Sequence, residues 1–122
     1  MGIIHIITDT ELRRFVNGDN VNVVKLSASW CRPCAAVAPR YKSLAEKYEG
    51  SFAQFAEVDI DTLEENWNVN SVPTFAVYKD GDFVDTILGT NLEPLDALLQ
   101  TLGILKLRHV DGEIFQAAKI NN

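Results

Sequence analysis

Short β-branched and apolar runs alternate along this chain with stretches of helical period, and that alternation restricts it to an α/β domain in which helices cover a sheet. Residues 3–7 read as a short edge strand. Thr8 followed by Glu11 supplies a capping box for a helix to about Asn17, with Gly18 placed to end it. Residues 21–27 form a central strand interrupted by one lysine, Lys25. From Cys31 to Tyr48, the spacing of Val37, Tyr41, Leu44, Ala45 and Tyr48 marks one buried helical face; Pro39 is expected to kink this helix and Gly50 to end it. Residues 52–59 read as the next strand, and Thr62 with Glu65 makes a second capping box that predicts a short helix over 63–67. Val72-Pro73-Thr74 then leads into a strand over 75–78, which Asp80-Gly81 turns back into an antiparallel strand over 83–88. Asn91 caps a last helix through Leu102, closed by Gly103.

The expected order is β-α-β-α-β-α-β-β-α, a mixed central sheet with helices on both faces, in one domain over residues 1–103. Residues 104–122 form a C-terminal extension. Its Ile104, Leu105, Leu107, Val110, Ile114 and Phe115 either build a hairpin about Asp111-Gly112 or pack against the domain, being too numerous for a free acidic tail.

Composition narrows the function classes. The 17 acidic residues outnumber the 11 basic ones, which argues against a general nucleic-acid binder. No apolar run approaches the ~20 residues of a membrane span. The N-terminus lacks the basic region and long apolar core of a secretory signal, and Ile6 breaks the myristoylation pattern after Gly2. Both cysteines stand in one tight pair, as in a reducing compartment and unlike a secreted disulfide framework. A cytosolic protein acting on a protein partner or a small disulfide is the expectation.

That pair lies in Trp30-Cys31-Arg32-Pro33-Cys34, at the expected start of a helix. Residues three apart there share a face, so the sulfurs can close and reopen a bond without large backbone movement. Cys31 meets the unpaired N–H groups and positive dipole end of the helix, with Arg32 beside it, and is expected to attack as a thiolate. Cys34, one turn further in and more shielded, is expected to resolve the mixed disulfide. Pro33 loses no useful hydrogen bond there and stiffens the loop. Half of a tetrahedral zinc site has the same spacing, but His5 and His109 are the only other strong N or S ligands and lie near opposite ends of the chain. His5 reads as an ordinary strand residue. Trp30 is expected to shield the nucleophile or line a groove, while Glu46, Glu49, Glu64 and Glu65 read as solvated helix faces.

With Pro39, the run Glu57-Val58-Asp59-Ile60-Asp61, Val72-Pro73-Thr74, Asp80-Gly81 and Gly89, all in order and spacing, the sequence resembles the thioredoxin family from about Thr8 to Gly103, and most closely its short eukaryotic type. The resemblance implies a thioredoxin fold in which Pro73 is cis against the dithiol and Trp30, Val72, Pro73 and Gly89, with Arg32 and Pro33, rim a shallow groove for a partner's disulfide. It also implies a protein disulfide reductase with no bound cofactor, reduced by an NADPH-dependent flavin reductase (thioredoxin reductase). Peroxiredoxins, methionine sulfoxide reductases and ribonucleotide reductase are the targets implied. Two readings compete: a thioredoxin-fold binding or adaptor module, and an oxidase or isomerase of the same fold.

Two residues depart from the family pattern. Arg32 replaces the usual glycine between the cysteines and is expected to lower the Cys31 pKa and make the disulfide more oxidising than the general thioredoxin reference of about −270 mV. Lys25 occupies the place of the family's buried aspartate, the group thought to take the proton from the second cysteine. An unpaired buried lysine is costly, so a partner is required, and Glu57 on the adjoining strand is the expected one. In that arrangement Glu57 relays the proton and Lys25 stabilises the thiolate; the alternative is a lysine that snorkels to the surface and does no chemistry.

Overall fold

The computed structural model of the 122-residue chain describes residues 2–110, with side chains as far as Leu105. Its elements in chain order are β1 (Ile3–Ile6), α1 (Asp9–Val16), β2 (Val21–Ser27), α2 (Arg32–Lys47), β3 (Ala53–Asp59), β4 (Thr74–Lys79), β5 (Asp82–Leu88) and α3 (Glu93–Val110), with a single 3-10 turn at Ile60–Thr62. The sheet has five strands in the order β1-β3-β2-β4-β5; β1 and β2 run parallel to β3, while β4 runs antiparallel to both β2 and β5. This is the mixed α/β sheet expected from the sequence.

Alternation along the strands assigns each face its helices. Val21 and Val23 of β2, Phe55 of β3 and Phe75 and Val77 of β4 pack with Val37, Tyr41 and Leu44 of α2 and Leu95, Leu99 and Leu102 of α3. Val24, Leu26, Ala56, Val58 and Ala76 point the other way, onto Leu12 and Val16 of α1. Every residue of β2 is buried, as expected of a strand covered on both faces, and Lys25 falls on the face beneath α2. The capping box of α1 forms as expected, Thr8 accepting from the Glu11 N–H and Glu11 accepting from the Thr8 N–H. The Asp80-Gly81 turn has φ of 51° and 87°, the left-handed pair that a two-residue hairpin needs.

Two local expectations are corrected. Residues 63–67 are not helical: the Thr62 hydroxyl donates to the Asp59 carbonyl, and Glu65 bonds Arg13 of α1 through both oxygens. The free N–H groups of Glu64 and Glu65 go instead to the Asp9 carboxylate at 2.7 and 3.0 Å, joined by the Trp67 indole at 2.9 Å. A non-local anion has taken the donors that the predicted capping box would have used. Secondly, α3 continues through Gly103 to Val110, so residues 104–110 are helical and cannot form the first arm of a hairpin; residues 111–122 lie outside the described residues. Gly103 is small for packing: a Cβ there would lie 2.7 Å from the Phe52 ring. Asn91 sits just ahead of this helix and accepts from the Glu93 N–H. The α2 helix contains Pro39 and ends with Tyr48 as C-cap, as expected to within a residue, with Gly50 two residues beyond at φ 76°.

The Asp9 knot makes an acid-limb prediction. Its carboxyl is held below the ordinary 3.8, chiefly by the Glu64 N–H and then the Trp67 indole, against the opposing effect of burial. A carboxyl depressed in the folded state contributes stability above 3.8, and that contribution is lost as pH falls through the folded value. Urea midpoints measured across pH should therefore fall more steeply below 3.8 in wild type than in Asp9→Asn, which should be the less stable protein at neutral pH. Parallel curves would contradict this. Among the described residues, no helix is long and apolar enough to cross a membrane.

Candidate active site

The strand β2 delivers the chain to the site, and α2 begins there. Cys31 is the N-cap of α2 with extended backbone, and its sulfur accepts the Cys34 N–H at 3.2 Å. Arg32 and Pro33 fill the first helical positions, both exposed, and Cys34 follows one turn in. The two cysteines form a disulfide with Cα atoms 5.3 Å apart. Cys31 is 6% exposed and Cys34 2%, the order expected of an attacking and a shielded sulfur. A thiolate at Cys31 would face the N–H groups and positive end of a 16-residue helix.

Around the sulfurs, Ala28, Ile60 and Val72 pack in an apolar collar. The Val72-Pro73 peptide is cis, and the Val72 carbonyl oxygen lies 3.7 Å from the Cys31 sulfur. The Gly89 N–H donates to the Pro73 carbonyl, with Gly89 at φ 86°, so the end of β5 is tied to the loop beside the disulfide. Trp30 stands 66% exposed next to Cys31 and donates its indole N–H to Asp61 at 2.8 Å. No local pattern assigns Ile60 and Asp61 to the site; their sequence signal is membership of the run from Glu57 to Asp61.

Beneath the site, Lys25 does not snorkel: it is 1% exposed. Its ammonium donates to the Cys34 carbonyl at 2.9 Å and lies 3.1 Å from Glu57 Oε2. Strand register brings the pair together, since Lys25 stands directly opposite Glu57 in the parallel β2–β3 ladder. The Tyr41 phenol, pushed well above its ordinary range first by burial and then by the charge of Glu57, stays neutral nearby and donates to the Ala56 carbonyl at 2.8 Å. Among the described residues no group of three or more His, Cys, Asp or Glu side chains is placed to hold a metal.

Comparison with known proteins decides the family. The thioredoxin family model matches residues 3–103. The chain belongs to the thioredoxin family. It is 34% identical to a thioredoxin of Coprinus comatus, covering 74% of this chain and 88% of that protein, and 39% identical to human thioredoxin, covering 70% and 82%. The oxidised mitochondrial thioredoxin 3 of Saccharomyces cerevisiae superposes with a TM-score of 0.73 at 26% identity, over 81% of this chain and 94% of that one.

This thioredoxin-family chain is a protein dithiol-disulfide oxidoreductase whose Cys31–Cys34 pair opens and closes. Thioredoxins need no bound cofactor, because the sulfurs carry the electrons. The family implies two kinds of partner in general, a thioredoxin reductase and disulfide-containing proteins.

Proposed function

We propose that this protein reduces disulfides of cytoplasmic target proteins, with Cys31 as nucleophile, Cys34 as resolving thiol and the Lys25–Glu57 pair in place of the family's buried aspartate. The Cys31 thiolate attacks one sulfur of the target disulfide; the Cys31–target bond forms, and the other target sulfur leaves with the electron pair. Cys34 then loses its proton and attacks Cys31, which releases the second target thiolate and closes the intramolecular disulfide. The observation that carries this reading is the Cys31 sulfur at the N-cap of α2, with the buried Lys25 ammonium on the Cys34 carbonyl behind it. Trp30, Arg32, Pro33, Val72, Pro73 and Gly89 form the groove, where an extended target segment lies against the Val72 main chain. Asp61 holds the indole edge of that groove.

Electrons come from NADPH through a flavin-containing reductase, and peroxiredoxins, methionine sulfoxide reductases or ribonucleotide reductase are the targets. The cytoplasm is proposed from the reducing-compartment cysteine usage; the similarity to a mitochondrial yeast protein makes that organelle the alternative. Residues 1–103 are proposed as the functional domain, with residues 104–122 as an extension. NADPH consumption in a mixture of thioredoxin reductase, this protein and insulin tests the electron route. Sustained consumption dependent on this protein is expected. None would favour an adaptor, and consumption outpaced by oxidation of reduced peptides would favour an oxidase.

Proton handling has its own test. Glu57, directly or through water, accepts the Cys34 proton, and Lys25 stabilises the resulting thiolate. The rate of the Cys34-dependent step should shift its pH profile in both Lys25→Ala and Glu57→Gln. An unchanged Glu57→Gln profile would remove Glu57 as the proton acceptor, and unchanged profiles in both variants would end the assignment of the pair.

A further inference from the structure

The Lys25–Glu57 pair has an outer neighbour. In the β1–β3 ladder His5 stands directly opposite Glu57, so His5, Glu57 and Lys25 form one row across three strands. The two carboxylate oxygens of Glu57 are divided between them: Oε2 lies 3.1 Å from the Lys25 ammonium and Oε1 3.4 Å from His5 Nδ1. Exposure rises along the row, with side chains 2% exposed at Lys25, 29% at Glu57 and 76% at His5. A cleft of about 320 Å³, lined by His5, Ser27, Ser29, Glu57, Asp59 and Thr62 among others, opens from solvent onto the carboxylate.

We propose that His5 is a positioning residue for the resolving step, which sets the basicity of Glu57 according to its own charge and so gives the step a histidine-dependent pH limb. The inference rests on the reading of Glu57 as acceptor of the Cys34 proton. Lys25 is one cation fixed against the inner oxygen. An imidazolium at His5 is a second cation against the outer oxygen, and two cations on one carboxylate favour its anionic form. Glu57 is then a weaker base and removes the Cys34 proton more slowly. Neutral His5 lifts that restraint.

The other groups facing this row do not supply the switch. From α2 comes Tyr41, which stays neutral; from β4, opposite Lys25, comes the uncharged Phe75; Asp59 lies two residues along β3 in the same cleft and carries the opposite charge to imidazolium; Asp61 is engaged by Trp30. Histidine is the side chain whose ordinary titration falls in the physiological range.

The step balances without any further reactant. The Cys34 proton passes to Glu57 and from there to water in the cleft; the Cys34–Cys31 bond forms as the Cys31–target bond breaks; the departing target thiolate keeps the electron pair and takes a proton from solvent.

A stopped-flow experiment on the full chain reads this directly, using an aromatic disulfide that releases a coloured thiolate once on attack and again on resolution. His5→Gln should resolve faster than wild type by about two- to five-fold near pH 5.5, the range expected for one exposed charge pair, with the ratio closing to unity by about pH 8. His5→Arg, a permanent cation at the same exposed edge position, should resolve slowly across that whole range. In a Glu57→Gln background the His5→Gln substitution should change nothing. A ratio independent of pH, or a His5→Gln effect that survives in Glu57→Gln, would overturn the inference. The two layers fail differently: if Glu57→Gln shifts the wild-type profile and His5→Gln does not, only the His5 role falls, whereas an unshifted Glu57→Gln profile removes both. Unfolding midpoints of the variants, expected to match wild type for His5→Gln, separate these effects from loss of fold.

Discussion

Cys31→Ser is expected to abolish disulfide reduction, and Cys34→Ser to convert the protein into a reagent that turns over once and stops. The two sulfurs differ in what surrounds them. Cys31 caps α2, receives an N–H from the first turn, stands beside the exposed Trp30 and, at 6% exposure, is the less buried of the two, which makes it the expected point of attack. Cys34 lies inside the first turn at 2% exposure, with the Lys25 ammonium on its carbonyl, and is expected to react only with a disulfide already formed at Cys31. With Cys31 gone there is no accessible nucleophile, and insulin reduction should fall to the uncatalysed background. With Cys34 gone the first exchange still occurs, but nothing attacks the mixed disulfide from within. Its release then depends on external thiol, and the multiple-turnover rate should drop by orders of magnitude while the first-turnover burst persists. Equal activity of the two variants would contradict this division of labour.

Glu57→Ala should be the most destabilising single change in the row beneath the site, at about 3 kcal/mol, because it leaves the buried Lys25 ammonium without its counter-ion. Lys25 would keep only the Cys34 carbonyl at 2.9 Å, a neutral acceptor. The reverse deletion is not symmetrical. Lys25→Met removes the buried charge, fills a similar volume among Tyr41 and its neighbours, and leaves a carboxylate that is already 29% exposed and can turn to water. Its cost should stay within about 1 kcal/mol of wild type. In Lys25→Met/Glu57→Ala the penalty of the lone ammonium disappears, so the double variant should be more stable than Glu57→Ala. Urea denaturation of the four proteins yields the coupling energy; additive losses would show that the two side chains do not depend on each other.

Most of the architecture was legible because local signals and tertiary structure agree. The Thr8–Glu11 box and the Asp80-Gly81 turn are each formed by neighbours close in sequence, and the β-branched run of β2 suits the doubly covered place between β3 and β4 that it takes. The Lys25–Glu57 pair was legible for a different reason: a charged residue in a central strand must have a partner, and the adjoining strand offered one carboxylate at the right depth. What failed was decided from far away in the chain. Thr62 and Glu65 match a helix start in sequence, yet Asp9, more than 50 residues earlier, takes the donors that such a helix would use. Gly103 has the composition of a helix stop, but its role is to admit the Phe52 ring, which no local pattern reveals. His5 and Asp61 were invisible as parts of the site, since their roles depend on the register of β1 against β3 and on the indole of Trp30.

The central claim is that electrons pass through a covalent bond between Cys31 and the target, which Cys34 then releases. Mass spectrometry of the adduct formed when reduced Cys34→Ser meets a disulfide peptide tests it most directly. The peptide should be found on Cys31 in one-to-one stoichiometry, and adding wild-type levels of resolving thiol should free it. An absence of adduct under conditions where wild type reduces the same peptide would contradict the account.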